Sequence, residues 1–404
     1  MAGQVKHLWI PRSEIDSYLV SIGYWATQEL RRKNTYVLSP AAYALTCTQS
    51  QQLEVLARTV YAAMRTLSER LSALSQERSL TNSDAQFLAL ANAGIRGLLG
   101  PKDIGGAVPP IMKVDMMQDT DGCYRIAEVD AYNPRGLAFM ALLDESLPKY
   151  HPPVGGGVAA VARMMKACGG AASWTIIVSE MERFYKPALR VLQASLTRQG
   201  VTTNIVDECD ISNDELVGEH VLIIPESLNR NIEGRARLVA RYRSGELKTL
   251  YPPAAYLGSK AFLPFLSQQA GMSQFIPSCS LVSKKTDPAS IANGTPTVLK
   301  GVMSSGLKQV IFSDDDAQLF AAKYAEAREM KRPSWILQHS VQQESIRIPV
   351  YLDESDTKGH FKEYFLRITA QISETGLVGV EVTGRPDKKV HGAPDCIQIP
   401  VVHR

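Results

Sequence analysis

Apolar and polar residues change their rhythm several times along this chain, and the changes divide it. Over residues 13–100 the apolar positions recur at three- and four-residue steps. The pattern is clearest across 50–74, where Leu53, Leu56, Val60, Met64, Leu67 and Leu71 share one side of a helix. Ser13-Glu-Ile-Asp and Asn82-Ser-Asp84 give polar starts for flanking helices, the second ending near 97–100. These stripes form core, and no cofactor motif lies among them. After a Gly/Pro-rich break at 105–110 the period falls to two. Met112–Gln118 and residues 123–130 alternate as strands about an Asp121-Gly122 turn. A second break at 150–157 precedes a strand (174–178), an amphipathic helix (185–199) and strands at 202–206 and 220–225. That order is a doubly wound α/β unit, with Ser179-Glu180 closing its first strand. Beyond Leu257, two β-rich arms (295–312), a helix (317–330), a strand (335–341) and a strand-rich tail (363–402) follow.

The hairpin carries the first chemistry. A two-residue turn at Asp121-Gly122 sets Asp115 opposite Glu128 and Lys113 opposite Asp130, with all four side chains on one face. Three gathered carboxylates repel one another unless a positive charge joins them. A hard cation such as Mg²⁺, which takes carboxylate and phosphate oxygens together, suits them. A solvated acidic face is the alternative. Asn133-Pro134-Arg135-Gly136 then ends the strand before an apolar helical run, 137–143.

Composition narrows the class. In 404 residues, 45% hydrophobic and 21% charged with a net charge of +3, there is no nucleic-acid or membrane footprint, and two or three domains are expected. The six cysteines show neither CxxC nor Cys/His spacing, which predicts free, mostly buried thiols of a reducing compartment. With no signal-peptide-like start and no apolar run of membrane length, a cytoplasmic protein is expected.

The second chemical signal is VLKGVMSSGLKQVIF. A strand bearing Lys300, a small loop with Ser304, Ser305 and Gly306, and a return strand can fold over a polyphosphate. A tight turn without a ligand is the competing reading. Neither GxGxxG nor a Walker loop is present. His339 and His391 sit in polar surroundings where packing competes with chemistry. The basic stretches 31–33 and 235–243 read as solvated surfaces.

Taken together, these pieces resemble a circularly permuted ATP-grasp ligase, similar to glutathionylspermidine synthetases and eukaryotic glutathione synthetases. The resemblance runs from near Pro109 to the C-terminus and leaves the N-terminal helices unmatched. It implies an α+β and α/β chain with an N-terminal helical region (1–105), an acidic metal-binding hairpin (106–150) and a Rossmann-like substrate subdomain (151–255). An ATP-grasp lid (256–335) and a hinge strand with the C-terminal core (336–404) complete it. The family's metal element then falls on Asp115, Glu128 and Asp130, with Asp130 replacing the usual Asn. Lys113 matches a basic residue facing the reacting acyl phosphate, where the family usually has Arg. Lys260 matches the lysine that precedes the lid and Lys300 the lid lysine on the α-phosphate side, Ser304, Ser305 and Gly306 the phosphate-covering loop, and Gln338 with His339 the hinge strand at the adenine edge. Arg367 or Arg385 matches a later arginine that meets the triphosphate.

The resemblance implies a ligase that uses ATP and one or two Mg²⁺ ions to join a small-molecule carboxylate to an amine through an acyl phosphate. Amino acids or peptides are candidate substrates, a homodimer stays open, and no nucleic-acid or membrane partner is implied. A kinase on the same scaffold and a non-catalytic nucleotide-binding protein are the alternatives.

Overall fold

The computed structural model describes residues 10–21, 37–133, 135–146, 154–170, 173–286, 295–303, 309–351, 356, 358–390 and 395–403. Within them a mixed α/β architecture is built on a seven-stranded sheet. Its strands are β1 (Val37–Leu38), β3 (Met112–Gln118), β4 (Tyr124–Asp130), β13 (Ile346–Val350), β14 (His360–Ser373), β15 (Gly376–Arg385) and β16 (Ile397–Ile399). The order is β1-β16-β15-β14-β3-β4, with β13 also paired to β14. Strands 250 positions apart in sequence therefore lie side by side, as β14 inserts between β3 and β15.

Alternation gives this sheet two different faces. Val114, Met116, Ile368, Ala370, Ile372, Val380 and Val382 are buried on one, against the helix Cys47–Leu74. Leu53, Leu56, Val60, Met64, Leu67 and Leu71 supply that helix's buried stripe, as the periodicity predicts. The helix starts earlier than residue 50, because Thr46 and Gln49 form a reciprocal capping box. The N-terminal segment is not purely helical. Val37–Leu38 joins the main sheet beside β16, and β2 (Tyr43–Leu45) pairs with β17 (Val401–His403) at the other end of the chain. Residues 31–33 lie outside those described.

Two smaller sheets flank the main one. β5 (Trp174–Val178), β6 (Thr203–Asp207), β7 (His220–Val221) and β8 (Lys248–Thr249) form a parallel sheet in the order β6-β5-β7-β8, confirming the α/β unit. The expected helix is present as Lys186–Arg198, which Pro187 starts, and a 3₁₀ segment, Glu180–Tyr185, leads into it. β9 (Cys279–Leu281), β10 (Thr297–Gly301), β11 (Val310–Phe312) and β12 (Trp335–His339) form an antiparallel sheet. With the helix Ala317–Glu329 it encloses a core of its own, including Val282, Leu299, Phe320 and Trp335. The arginines of 235–243 are not mere surface charge: Arg235, Arg237 and Arg241 donate to the carbonyls of Glu226, Ile211 and Gly218. The cysteines also differ from expectation. None forms a disulfide, but Cys47, Cys123, Cys168 and Cys209 are exposed and only Cys396 is buried. Among the described residues no helix is long and apolar enough to cross a membrane.

Candidate active site

The other face of the main sheet is polar and buried, and it gathers most of the residues singled out from the sequence. Lys113 pairs with Asp130 and Asp115 with Glu128 across β3 and β4, as expected. The turn differs. Gly122 has φ +81° and its amide reaches the Asp119 carbonyl at 2.9 Å, while Asp121 keeps an ordinary φ. The loop is thus one residue longer than a two-residue primed turn. A register shift at Ala127 returns the acidic pairs to their places.

Next to β3, β14 presents Arg367, Thr369 and Gln371 on the same face, and β15 adds Glu381 and Thr383. Thr369 Oγ1 donates to Asp115 Oδ1 at 2.7 Å, and Lys113 Nζ to Asp115 Oδ2 at 3.3 Å. Arg367 lies 4.0 Å from the same carboxylate, and Lys113 4.0 Å from Asp130. Lys260 Nζ donates to Glu128 Oε1 at 3.1 Å. From the small sheet, Lys300 Nζ donates to the Ala127 carbonyl at 3.1 Å and to Gln338 Oε1 at 2.6 Å. The Gln338 amide reaches the Ile126 carbonyl at 3.1 Å. Gln338 therefore ties the small sheet to β4 through its side chain.

Asp130 Oδ1 accepts the amides of Tyr132 and Asn133, each at 3.0 Å, and so fixes the chain's exit from β4. Two glycines let other segments approach closely. A Cβ at Gly258 would lie 2.9 Å from Asp130 Oδ1, and one at Gly136 would lie 2.1 Å from Gln371 Nε2.

Burial and charge pull these groups in opposite directions. Burial alone would raise Asp115, but Lys113, Arg367 and the Thr369 hydroxyl hold it well below the usual carboxylate range. Asp130 is pushed up by burial, against Lys113 and with Glu128 adding to the rise. Burial opposes the charge on Lys113, yet Asp115, Asp130 and Glu128 outweigh it and raise its pKa. Lys300 has less compensation: burial lowers it to about 8, despite Glu128. Glu381, 4% exposed, is raised by burial to about 8 although Arg367 favours its charged form.

Three buried polar atoms on this face have no hydrogen-bond partner: Arg367 Nε, Gln371 Nε2 and Glu381 Oε2. Two are donors, the requirement for seating an anion. Among the described residues no three His, Cys, Asp or Glu side chains form a ready-made metal cluster. Cations and a hydroxyl occupy oxygens of Asp115 and Glu128, so a metal ion would displace a lysine contact. Carboxylate oxygens as a class suit a hard ion such as Mg²⁺.

A cleft adjoins the cluster between the main sheet and the small antiparallel sheet. Lys300, Gln338 and half-buried His339 line it, with Met117, Phe312 and Phe365 as apolar walls. Arg385, opposite Phe365 at the end of the same face, is bound to Asp395 at 2.8 Å and to the Lys389 carbonyl at 2.9 Å instead of to the carboxylates. Of the two arginines, the structure brings Arg367 to the acidic face. Ser304, Ser305, Gly306 and His391 lie outside the described residues. Sequence reasoning missed Thr369, Gln371 and Glu381, although ITAQIS and VEVTG alternate with period two.

No family model and no curated protein matches this sequence. Among solved structures, a glutathione synthetase-like effector from Globodera pallida in its apo form aligns over 98% of this chain and 100% of its own, at 12% identity and TM-score 0.51. That similarity concerns the fold. A candidate gamma-glutamylcysteine synthetase from Methylobacillus flagellatus aligns over 83% and 86% of the two chains at 12% identity, and its TM-score of 0.39 carries no argument.

Proposed function

We propose that this chain is an ATP-dependent carboxylate–amine ligase of the circularly permuted ATP-grasp type. The supporting observation is the buried polar face, where three carboxylates and the cations Lys113, Lys260, Lys300 and Arg367 converge beside a cleft with apolar walls. A buried set of donors and cations on a rigid sheet is built to stabilise phosphoryl charge. The α/β unit follows the acidic hairpin in sequence, and β14 and β15 then return to the hairpin's own sheet. This chain order and the glutathione synthetase-like fold support the permuted reading.

In this reading the base sits between Met117, Phe312 and Phe365, and Lys300 and Lys260 neutralise phosphate. Asp115, Glu128 and Asp130 would hold Mg²⁺, which supplies charge neutralisation to the polyphosphate. Lys113 and Arg367 balance charge on the phosphoryl group as it moves to the substrate carboxylate, and an amine then displaces phosphate. The separate core of the small sheet lets it close as a unit and exclude water. The test is an ADP-release screen against paired carboxylic and amino acids, with mass spectrometry of the product. Asp115→Asn should lower turnover by at least about 100-fold. ADP release supported by a hydroxyl acceptor alone would favour a kinase, and activity undiminished in Asp115→Asn would overturn the site.

A further inference from the structure

A strained turn follows the helix Asn82–Ala93. The Leu98 amide reaches the Ile95 carbonyl at 2.9 Å, and the two residues between them, Arg96 and Gly97, have φ of +49° and +75°. Such a turn favours Asn, Asp or Gly at its first central position. Among the described residues Arg96 is the one non-glycine with a positive φ. Its guanidinium reaches across the molecule in two directions. Nη1 donates to Glu226 Oε1 of the α/β unit at 3.1 Å, and Nη2 to the Met303 carbonyl just past β10, also at 3.1 Å. An ion pair with 42% of the arginine side chain exposed stabilises the fold little, while left-handed backbone at a non-glycine residue costs stability. Stability therefore does not account for an arginine here, and strain retained without that gain points to function.

We propose that Arg96 is a positioning residue of the nucleotide site: it braces the exit of β10 against the α/β unit and so sets where Lys300 meets β4. The anchor is itself steadied, since Arg235 Nη1 donates to the Glu226 carbonyl at 2.8 Å. The Val302 carbonyl, one residue before Met303, accepts from the Lys260 amide at 2.8 Å and the Ser259 hydroxyl at 3.3 Å. Two successive carbonyls beyond β10 are therefore held from outside its own sheet, two and three residues after Lys300. A planar guanidinium presents separate donors to the two partners of Arg96, whereas a lysine ammonium is a single point of charge. The N-terminal helices thereby take part in a site that lies between the main and small sheets. The effect on nucleotide rests on the ligase reading, but the brace does not.

The experiment compares Arg96→Gly and Arg96→Lys with wild type. Glycine suits the positive φ, so Arg96→Gly removes the side chain without straining the turn and should melt close to wild type. In ligand-free hydrogen exchange, the amides of 299–303 should exchange at least about fivefold faster in Arg96→Gly, with β14 and β15 unchanged. By calorimetry with a non-hydrolysable ATP analogue and Mg²⁺, Arg96→Gly should bind about fivefold more weakly than wild type. In a Lys300→Met background it should cause no further loss, because it acts through that lysine. A side chain that only supports the fold would lose the same factor in both backgrounds. Arg96→Lys, which keeps the charge but not the fork, should show both effects. Four outcomes overturn the proposal: unchanged exchange at 299–303 in Arg96→Gly, acceleration spread equally over β14 and β15, equal loss of analogue binding in both backgrounds, or wild-type behaviour in Arg96→Lys. Failure of wild type to bind the analogue, with exchange at 299–303 still responding to Arg96→Gly, would count against the ligase reading alone.

Discussion

Glu381→Gln isolates the energetic cost of the polar face. The carboxyl is buried between Arg367 and Asp115, and burial raises it from an ordinary 4.5 to about 8. Below about pH 4.5 both folded and unfolded chains hold the proton. Between there and about pH 8 only the folded chain does, so stability falls as pH rises through this window. At ~1.4 kcal/mol per pH unit, the stretch from pH 5.5 to 8 is worth about 3 kcal/mol. With an unfolding entropy of about 2.1 cal/mol/K per residue over 404 residues, that corresponds to about 4 °C in Tm. Glutamine keeps the shape and removes the titration. In chelator-treated, nucleotide-free buffer, the Tm of the variant relative to wild type should be about 4 °C higher at pH 8.5 than at pH 5.5. A difference between the two proteins that stays the same at both pH values would refute the reasoning, because Glu381 would then carry the same charge in both states.

Lys300→Met should weaken binding of an ATP analogue at least about tenfold by calorimetry. Gly136→Ala drives a Cβ to 2.1 Å from Gln371 Nε2 and should destabilise by about 1–3 kcal/mol in urea unfolding, with Gln371→Ala restoring part of the loss. A thiol reagent should modify Cys47, Cys123, Cys168 and Cys209 at once and Cys396 only on unfolding. Cys279, pushed up by burial to about 11, should react slowly.

Period and spacing expose the elements but not their partners. The helix stripe from Leu53 to Leu71, the hairpin strands and the α/β alternation are local patterns, and each was legible. The polar face was legible only in part. Arg367, Thr369 and Gln371 alternate with Ile368, Ala370 and Ile372 inside β14, but nothing local says that β14 lies beside β3 and places Thr369 on Asp115. Glu381 belongs to the same face through one more strand pairing. Tyr43–Leu45 reads as part of a helical region because its partner, β17, lies at the far end of the chain. Cysteine exposure failed for a related reason: thiol burial is a tertiary property, and composition gives only its average.

The acidic pairing was anticipated through two departures that cancel. The longer turn places Gln118 opposite Tyr124 and Met116 opposite Ile126, one residue out of step with a two-residue loop. Continued unchanged, that register would set Asp115 against Ala127 and Lys113 against Val129. Glu128 and Asp130 would then point to the apolar face opposite Val114 and Met112, since a one-residue slip reverses every side chain. The irregularity at Ala127 absorbs the extra residue, so Asp115 again meets Glu128. It has a second consequence. The carbonyls of Ala127 and Ile126 accept from Lys300 and Gln338, the side chains that join the small sheet to this strand. The same bulge that assembles the carboxylates therefore fixes where the lysine of the facing hairpin meets them. This is why the acidic hairpin and the distant Lys300 strand come together in one polar cluster.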